Sequence, residues 1–194
     1  VVLVTEGDKH SIFGRNLFNN KNLTFEPSLN IPTPENYVLG PGDEVIIDIW
    51  GNSELTVRQV ISPEGNINVS NIGPIYLNGK RIQEASSYLK AMFSRIYSDL
   101  ASENPSTFLK VSLGQIRSIQ VNVMGEIVMP GTYMLPSLAT VFHALYAAGG
   151  VNNVGTLRDV VLYRNGKAFK HVDVYDYIMN GNNSFDITLQ DGDL

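Results

Sequence analysis

The stretch YVLGPGDEVIIDIWGN, residues 37–52, sets a tight turn directly against a strand, and its reading decides the fold. Gly40, Pro41, Gly42 and Asp43 form a turn with a mechanism: glycine frees φ, proline fixes it, and aspartate bonds its own backbone. In the strand that follows, side chains alternate between faces, so Val45, Ile47 and Ile49 point one way while Glu44, Ile46, Asp48 and Trp50 point the other. Trp50, the only tryptophan, therefore stands opposite the obvious core face. Either a second layer covers it or it is displayed.

Reading outward, LTVRQVISPEGNINV (55–69) alternates on both sides of PEGN, which predicts a hairpin with Gly65 at positive φ. NIGPIYLNGK (71–80) predicts another short strand closed by Asn78-Gly79. Between Arg81 and Leu100 the period changes to three and four, with Ile82, Ala85, Leu89, Met92 or Phe93, Ile96 and Leu100 on one face of a helix. ASENPSTF (101–108) has linker composition. FLKVSL (108–113) and SIQVNVMG (118–125), separated by GQIR, are expected to be adjacent strands.

GEIVMPGTYMLPSLATVFHALYAAGGV (125–151) combines a turn at Pro130-Gly131, a strand TYML, and a helix with Ser137 as N-cap. Leu138, Val141, Phe142, Leu145 and Tyr146 share that helix's apolar face, and Gly149-Gly150 ends it. LRDVVLYRNGKAFKHVDV is a hairpin on Asn165-Gly166, and VYDYIMNGN is a helical turn stopped by Gly181. LQDGDL (189–194) echoes LGPGDEV (39–45), with Gly192-Asp193 matching Gly42-Asp43. A strand is expected to start there, and the chain reads as a fragment of a longer one. Strand pairs wrapped around single helices indicate an α+β fold.

At 194 residues the chain fits one large or two small domains, and 43% hydrophobic with 17% charged residues is ordinary globular composition. The net charge of -5 comes without any Lys/Arg run able to track phosphates, which excludes nucleic acid as a partner class. The absence of cysteine excludes disulfides and thiolate metal sites. No window reaches the ~18 apolar residues of a membrane-spanning helix. Residues 1–36 read as an extended polar leader in which Ile12, Phe13, Leu17, Phe18 and Phe25 dock on the body.

An enzymatic constellation does not emerge. His10, His143 and His171 lack metal-ligand spacing. Gly40-Pro41-Gly42 precedes its strand, so it fails as a dinucleotide loop. Asp43 belongs to the turn, and Glu44 and Asp48 lie about 13 Å apart along an extended strand, too far for a retaining glycosidase pair. No catalytic residue, metal or cofactor is assigned.

Three blocks, YVLGPGDEVIIDIWG, ISPEGNINVSNIGPIYLNGKRIQEA and GEIVMPGTYMLPSLATVFHALYAAGG, resemble in order and spacing the bacterial outer-membrane polysaccharide export proteins of the Wza-like type. The resemblance implies a polysaccharide export domain over 37–116, a mixed sheet with a covering helix. It further implies a soluble ligand-binding β-grasp (SLBB) domain over 117–194, cut within its last strand. The motif positions are then architectural: Gly40, Pro41, Gly42, Asp43 and Gly65 in the first domain, and Gly125, Glu126, Pro130, Gly131, Gly149, Gly150, Gly192 and Asp193 in the second. It also implies a non-enzymatic subunit of a periplasmic and outer-membrane conduit for capsular or exopolysaccharide. The implied partners are the polymer, held weakly, further copies of itself in a ring, and an inner-membrane polysaccharide copolymerase, often a tyrosine autokinase. The alternative is a periplasmic β-grasp module that binds a soluble glycan or a protein without forming a conduit.

Trp50, Tyr133 and Tyr146 are the candidate contact residues, because aromatic faces pack on sugar rings as on other apolar surfaces. The plainer expectation makes all three core or subunit-interface residues. On that expectation Trp50 packs between the sheet and a neighbouring layer, and its truncation costs about 3–5 kcal/mol.

Overall fold

The computed structural model describes residues 18, 34, 36–181 and 186–194. It divides into two compact units, Ser28–Arg117 and Ser118–Leu194 together with Val1–Pro27. Of the leader, Ile12, Phe13, Leu17 and Phe25 lie outside the described residues, whereas Phe18 is buried in the second unit.

In the first unit, strands β1 (Glu44–Gly51), β2 (Leu55–Val60) and β5 (Thr107–Leu113) form a sheet in the order β2-β1-β5, and β3 (Asn66–Val69) pairs with β4 (Gly73–Tyr76). The period-two pattern of β1 is realised: Val45, Ile47 and Ile49 are buried and Trp50 is on the open face. Helix α1 (Ile82–Phe93) covers the buried face with Ile82, Ala85, Leu89 and Phe93. At its start the Glu84 carboxylate accepts from the Arg81 amide at 3.1 Å, satisfying a donor that the first turn leaves free. The expected helix to Leu100 stops at Phe93, beyond which a short 3-10 turn at Ser98–Ala101 still delivers Leu100 to the core.

Three expectations are corrected. Gly65 has the positive φ expected of it, but the turn it closes joins strands of different sheets, since β2 pairs with β1 and β3 with β4. The runs flanking GQIR are not neighbours either: β5 pairs with β1, whereas β6 (Ser118–Val123) pairs with β7 (Gly131–Pro136), because the chain passes from one unit to the other at Arg117. The sheet implied to be mixed has only antiparallel pairs. In each case periodicity identified strands correctly while pairing was decided by long-range packing.

The second unit sets two hairpins around helix α2 (Val141–Ala147): β6-β7, and β8 (Val160–Arg164) with β9 (Lys167–Val172). Asn165 and Gly166 both have positive φ, as a two-residue primed turn requires. The segment Gly192–Leu194 ties the hairpins together. The Gly192 amide donates to Gln120 at 2.8 Å and the Asn122 amide to Asp193 at 2.9 Å, while Leu194 and Tyr163 exchange backbone bonds of 3.0 and 2.6 Å. Helix α2 buries Val141, Phe142, Ala144 and Leu145, and Phe142 meets the Phe18 ring at 5.2 Å between centroids. Its N-cap is Thr140, not Ser137, because Pro136–Ala139 makes its own turn first, with the Ala139 amide on the Pro136 carbonyl. Helix α3 (Val174–Asn180) ends on Gly181 in the left-handed conformation.

Candidate functional site

Among the described residues, one surface that combines exposed aromatic rings with polar side chains is the open face of the β2-β1-β5 sheet. Trp50 on β1 stands opposite Phe108 on β5. The two rings stack with centroids 5.8 Å apart and planes 25° from parallel. Both are 45% exposed. The next rung is polar: Asp48 accepts from the Thr56 hydroxyl at 2.8 Å on one side, and Lys110 stands opposite it on the other. Gly51 fixes the end of the strand. Its φ is +109°, and a Cβ there would lie 1.9 Å from the Ser106 carbonyl oxygen, so only glycine lets β1 turn away directly after Trp50.

Each unit also contains the same turn around a buried aspartate. Asp43 is fully buried; its carboxylate accepts from the Gly40 amide at 2.9 Å, the Tyr37 hydroxyl at 2.7 Å and the Arg117 amide at 2.8 Å. The Arg117 guanidinium pairs with it at 2.5 Å. Asp193 repeats the arrangement, accepting from the Gln190 amide at 2.8 Å and from Arg164 at 2.9 and 2.7 Å. Gly42 and Gly192 take the positive φ in each. These carboxylates are saturated with donors, so they fasten structure and are not available to ligands.

The other glycine motif is likewise architectural. The Val128 and Met129 amides donate to Gly150 and Ala148, and Asn152 bonds Glu126 through backbone (3.0 Å) and side chain (2.6 Å). This zips the Gly125–Gly131 loop to the end of α2. A cavity of about 360 Å³ lies between β6, β8 and α2, lined by Val121, Ile127, Leu145, Val151, Val160 and Leu162 among others. Its lining also includes Asn122, Glu126, Asp159 and Asp193, whose side chains already bond Thr132, Asn152, His171 and Arg164. Among the described residues no cluster of His, Asp and Glu could hold a metal ion.

Two family models match this architecture in order: the polysaccharide biosynthesis/export protein model over residues 31–124 and the SLBB domain model over 119–194. The chain carries a polysaccharide export domain followed by an SLBB domain. Two curated relatives, both polysialic acid transport protein KpsD of Escherichia coli, are 28% identical over 171 residues, 88% of this chain. The chain spans 29% of the length of these relatives. The α+β class and the export-then-SLBB order implied by the resemblance are therefore present. Among the described residues no helix is long and apolar enough to cross a membrane.

Of the three aromatic candidates, Trp50 lies in the export unit and Tyr133 and Tyr146 in the SLBB unit. Tyr133 and Tyr146 are partly buried against the SLBB core, and the Tyr133 hydroxyl donates to the Met129 carbonyl at 2.5 Å. Among the described residues no second layer covers the face of Trp50 as the inter-layer expectation required. Trp50→Ala is accordingly expected to cost only about 1–2 kcal/mol, the sum of partial burial and one stacking contact, measured by denaturant unfolding. Phe108, its partner, was missed because it sits at the junction of a linker-like run and a strand. Only the β1-β5 register brings it to Trp50.

His143 has a structural role. The Thr140 amide donates to its Nδ1 at 3.1 Å, which requires the neutral ring. Burial lowers its pKa below the ordinary imidazole value, partly opposed by the nearby Asp186 carboxylate. A histidine with a depressed folded pKa binds fewer protons folded than unfolded, so stability falls as pH drops below the unfolded value. Thermal melting between neutral pH and pH 5 should show this loss for the SLBB unit, and His143→Gln should reduce the slope.

Proposed function

We propose that this chain is a non-enzymatic part of a subunit of a capsular or exopolysaccharide export conduit, periplasmic and associated with the outer membrane. The subunit forms a ring of identical copies and works beside an inner-membrane polysaccharide copolymerase or tyrosine autokinase. The observation that carries the reading is the pairing, in this order, of an export domain with an SLBB domain, supported by 28% identity over 171 residues to proteins named for polysialic acid transport. The saturated motif carboxylates support a structural rather than catalytic use of the acidic residues. The test is deletion of the gene in its own bacterium. The expected result is loss of surface polysaccharide with polymer retained inside the envelope, and cross-linking of the full-length protein into closed homo-oligomers. Normal surface polysaccharide in the deletion strain would reject the export role. A strictly monomeric full-length protein that still binds glycan would instead support a β-grasp binding module.

A further inference from the structure

The open face of the β2-β1-β5 sheet changes character rung by rung. Trp50 and Phe108 form a stacked, half-exposed pair at one end. Thr56, Asp48 and Lys110 make the next rung, and Arg58, Ile46 and Ser112 the one after, before Val60 and Glu44. The apolar part at this end is two rings wide, and Asp48, Lys110 and Arg58 separate it from Ile46 and the exposed Val60 farther along. A stable protein interface needs several hundred Å² per partner with a core depleted of charged groups, which this face lacks. A sugar chain has complementary chemistry: each ring offers an apolar C–H face to an aromatic platform and hydroxyls to donors and acceptors beside it.

We propose that Trp50 and Phe108 are a stacking platform for an extended glycan chain, with Asp48 and Thr56 meeting hydroxyl groups and Lys110 a hydroxyl or carboxylate group of the adjoining sugar. The proposal rests on the export reading and names the surface that touches the polymer. Several features suit the task. The platform is preorganised, because both aromatics stand on paired strands and Gly51 locks the end of β1 against Ser106. The Ser106 amide is in turn held by the Asp99 carboxylate at 2.7 Å. It is also open and shallow, so sugars bind weakly and leave readily, as a polymer in transit requires. Lys110 and Arg58 on the same face let it accept acidic as well as neutral sugars.

Trp50 is the only tryptophan, so its fluorescence and indole NMR signal report the site directly in the 194-residue chain. The probes are oligosialic acid and, separately, a dextran oligosaccharide. At least one is expected to shift the Trp50 signals saturably, with a dissociation constant on the order of 1 mM. Phe108→Leu, which keeps an apolar side chain but removes the stacking partner, should weaken binding about fivefold, with the unfolding curve confirming that the variant is folded. If Phe108→Leu does not fold, Lys110→Met serves as the second variant, with weakened binding again expected. No shift with either sugar, or equal binding by the folded variants, overturns the platform. A Trp50 shift that grows with protein concentration in the absence of sugar overturns it in favour of a contact between copies. Deletion separates the two readings: if deletion abolishes surface polysaccharide while the sugars leave Trp50 unmoved, the export role stands and the platform falls. Unchanged surface polysaccharide on deletion removes the export role itself.

Discussion

Asp43→Ala is expected to destabilise the export unit by about 3–5 kcal/mol, the range for removing one partner of a buried ion pair. The substitution strips the acceptor from four donors at once: Arg117 Nη1, the amides of Gly40 and Arg117, and the Tyr37 hydroxyl. Arg117 can recover some hydration because its side chain is 29% exposed, whereas Gly40 is buried and its amide loses its acceptor. Arg117→Met should cost a similar amount, because the buried carboxylate keeps three donors but loses its counter-charge. The check is urea unfolding followed by Trp50 fluorescence, which reports this unit alone since the sole tryptophan lies within it. A midpoint unchanged by Asp43→Ala would show that the turn, not its ion pair, carries the junction.

The turn also shows how far sequence reading reached. LGPGD and LQDGD are legible as a recurring motif because glycine and aspartate at fixed spacing have a local mechanism, and both glycines do take positive φ. The arginines that complete the two turns were not legible. Arg117 lies 74 residues from Asp43 and Arg164 lies 29 from Asp193, and no local signal pairs them. The same division separates element identity from pairing. The alternation of β1 and the Asn165-Gly166 hairpin are local facts and were read directly, whereas the partners of β2, β5 and β6 depend on where the chain changes unit. Trp50 illustrates the limit at one residue. Its face was evident from alternation, but whether anything covered that face depended on the rest of the chain, and its ring partner Phe108 is 58 positions away in sequence yet opposite in register.

Asp193→Ala is expected to have an effect of similar size, about 3–5 kcal/mol, on the SLBB unit, for a different structural reason. Here the carboxylate is 1% exposed and Arg164 only 15%, so neither partner regains much water when the other is lost. Arg164 ends β8, while the Asp193 carbonyl accepts from Asn122 on β6 and Leu194 pairs with Tyr163. The ion pair therefore pins the one described segment through which the two hairpins share backbone bonds, and its loss should loosen both. Amide hydrogen exchange in β6 and β8 is the appropriate measure, with protection expected to fall in both strands together. Asp191→Ala provides the contrast: its exposed carboxylate accepts a single bond, from the Gln120 amide at 2.8 Å, and its removal should cost about 1 kcal/mol. If Asp193→Ala weakened β8 alone, the hairpins would be held together by side-chain packing around α2 and not by the Gly192–Leu194 segment. Equal effects of Asp191→Ala and Asp193→Ala would mean that the turn's backbone bonds outweigh the ion pair.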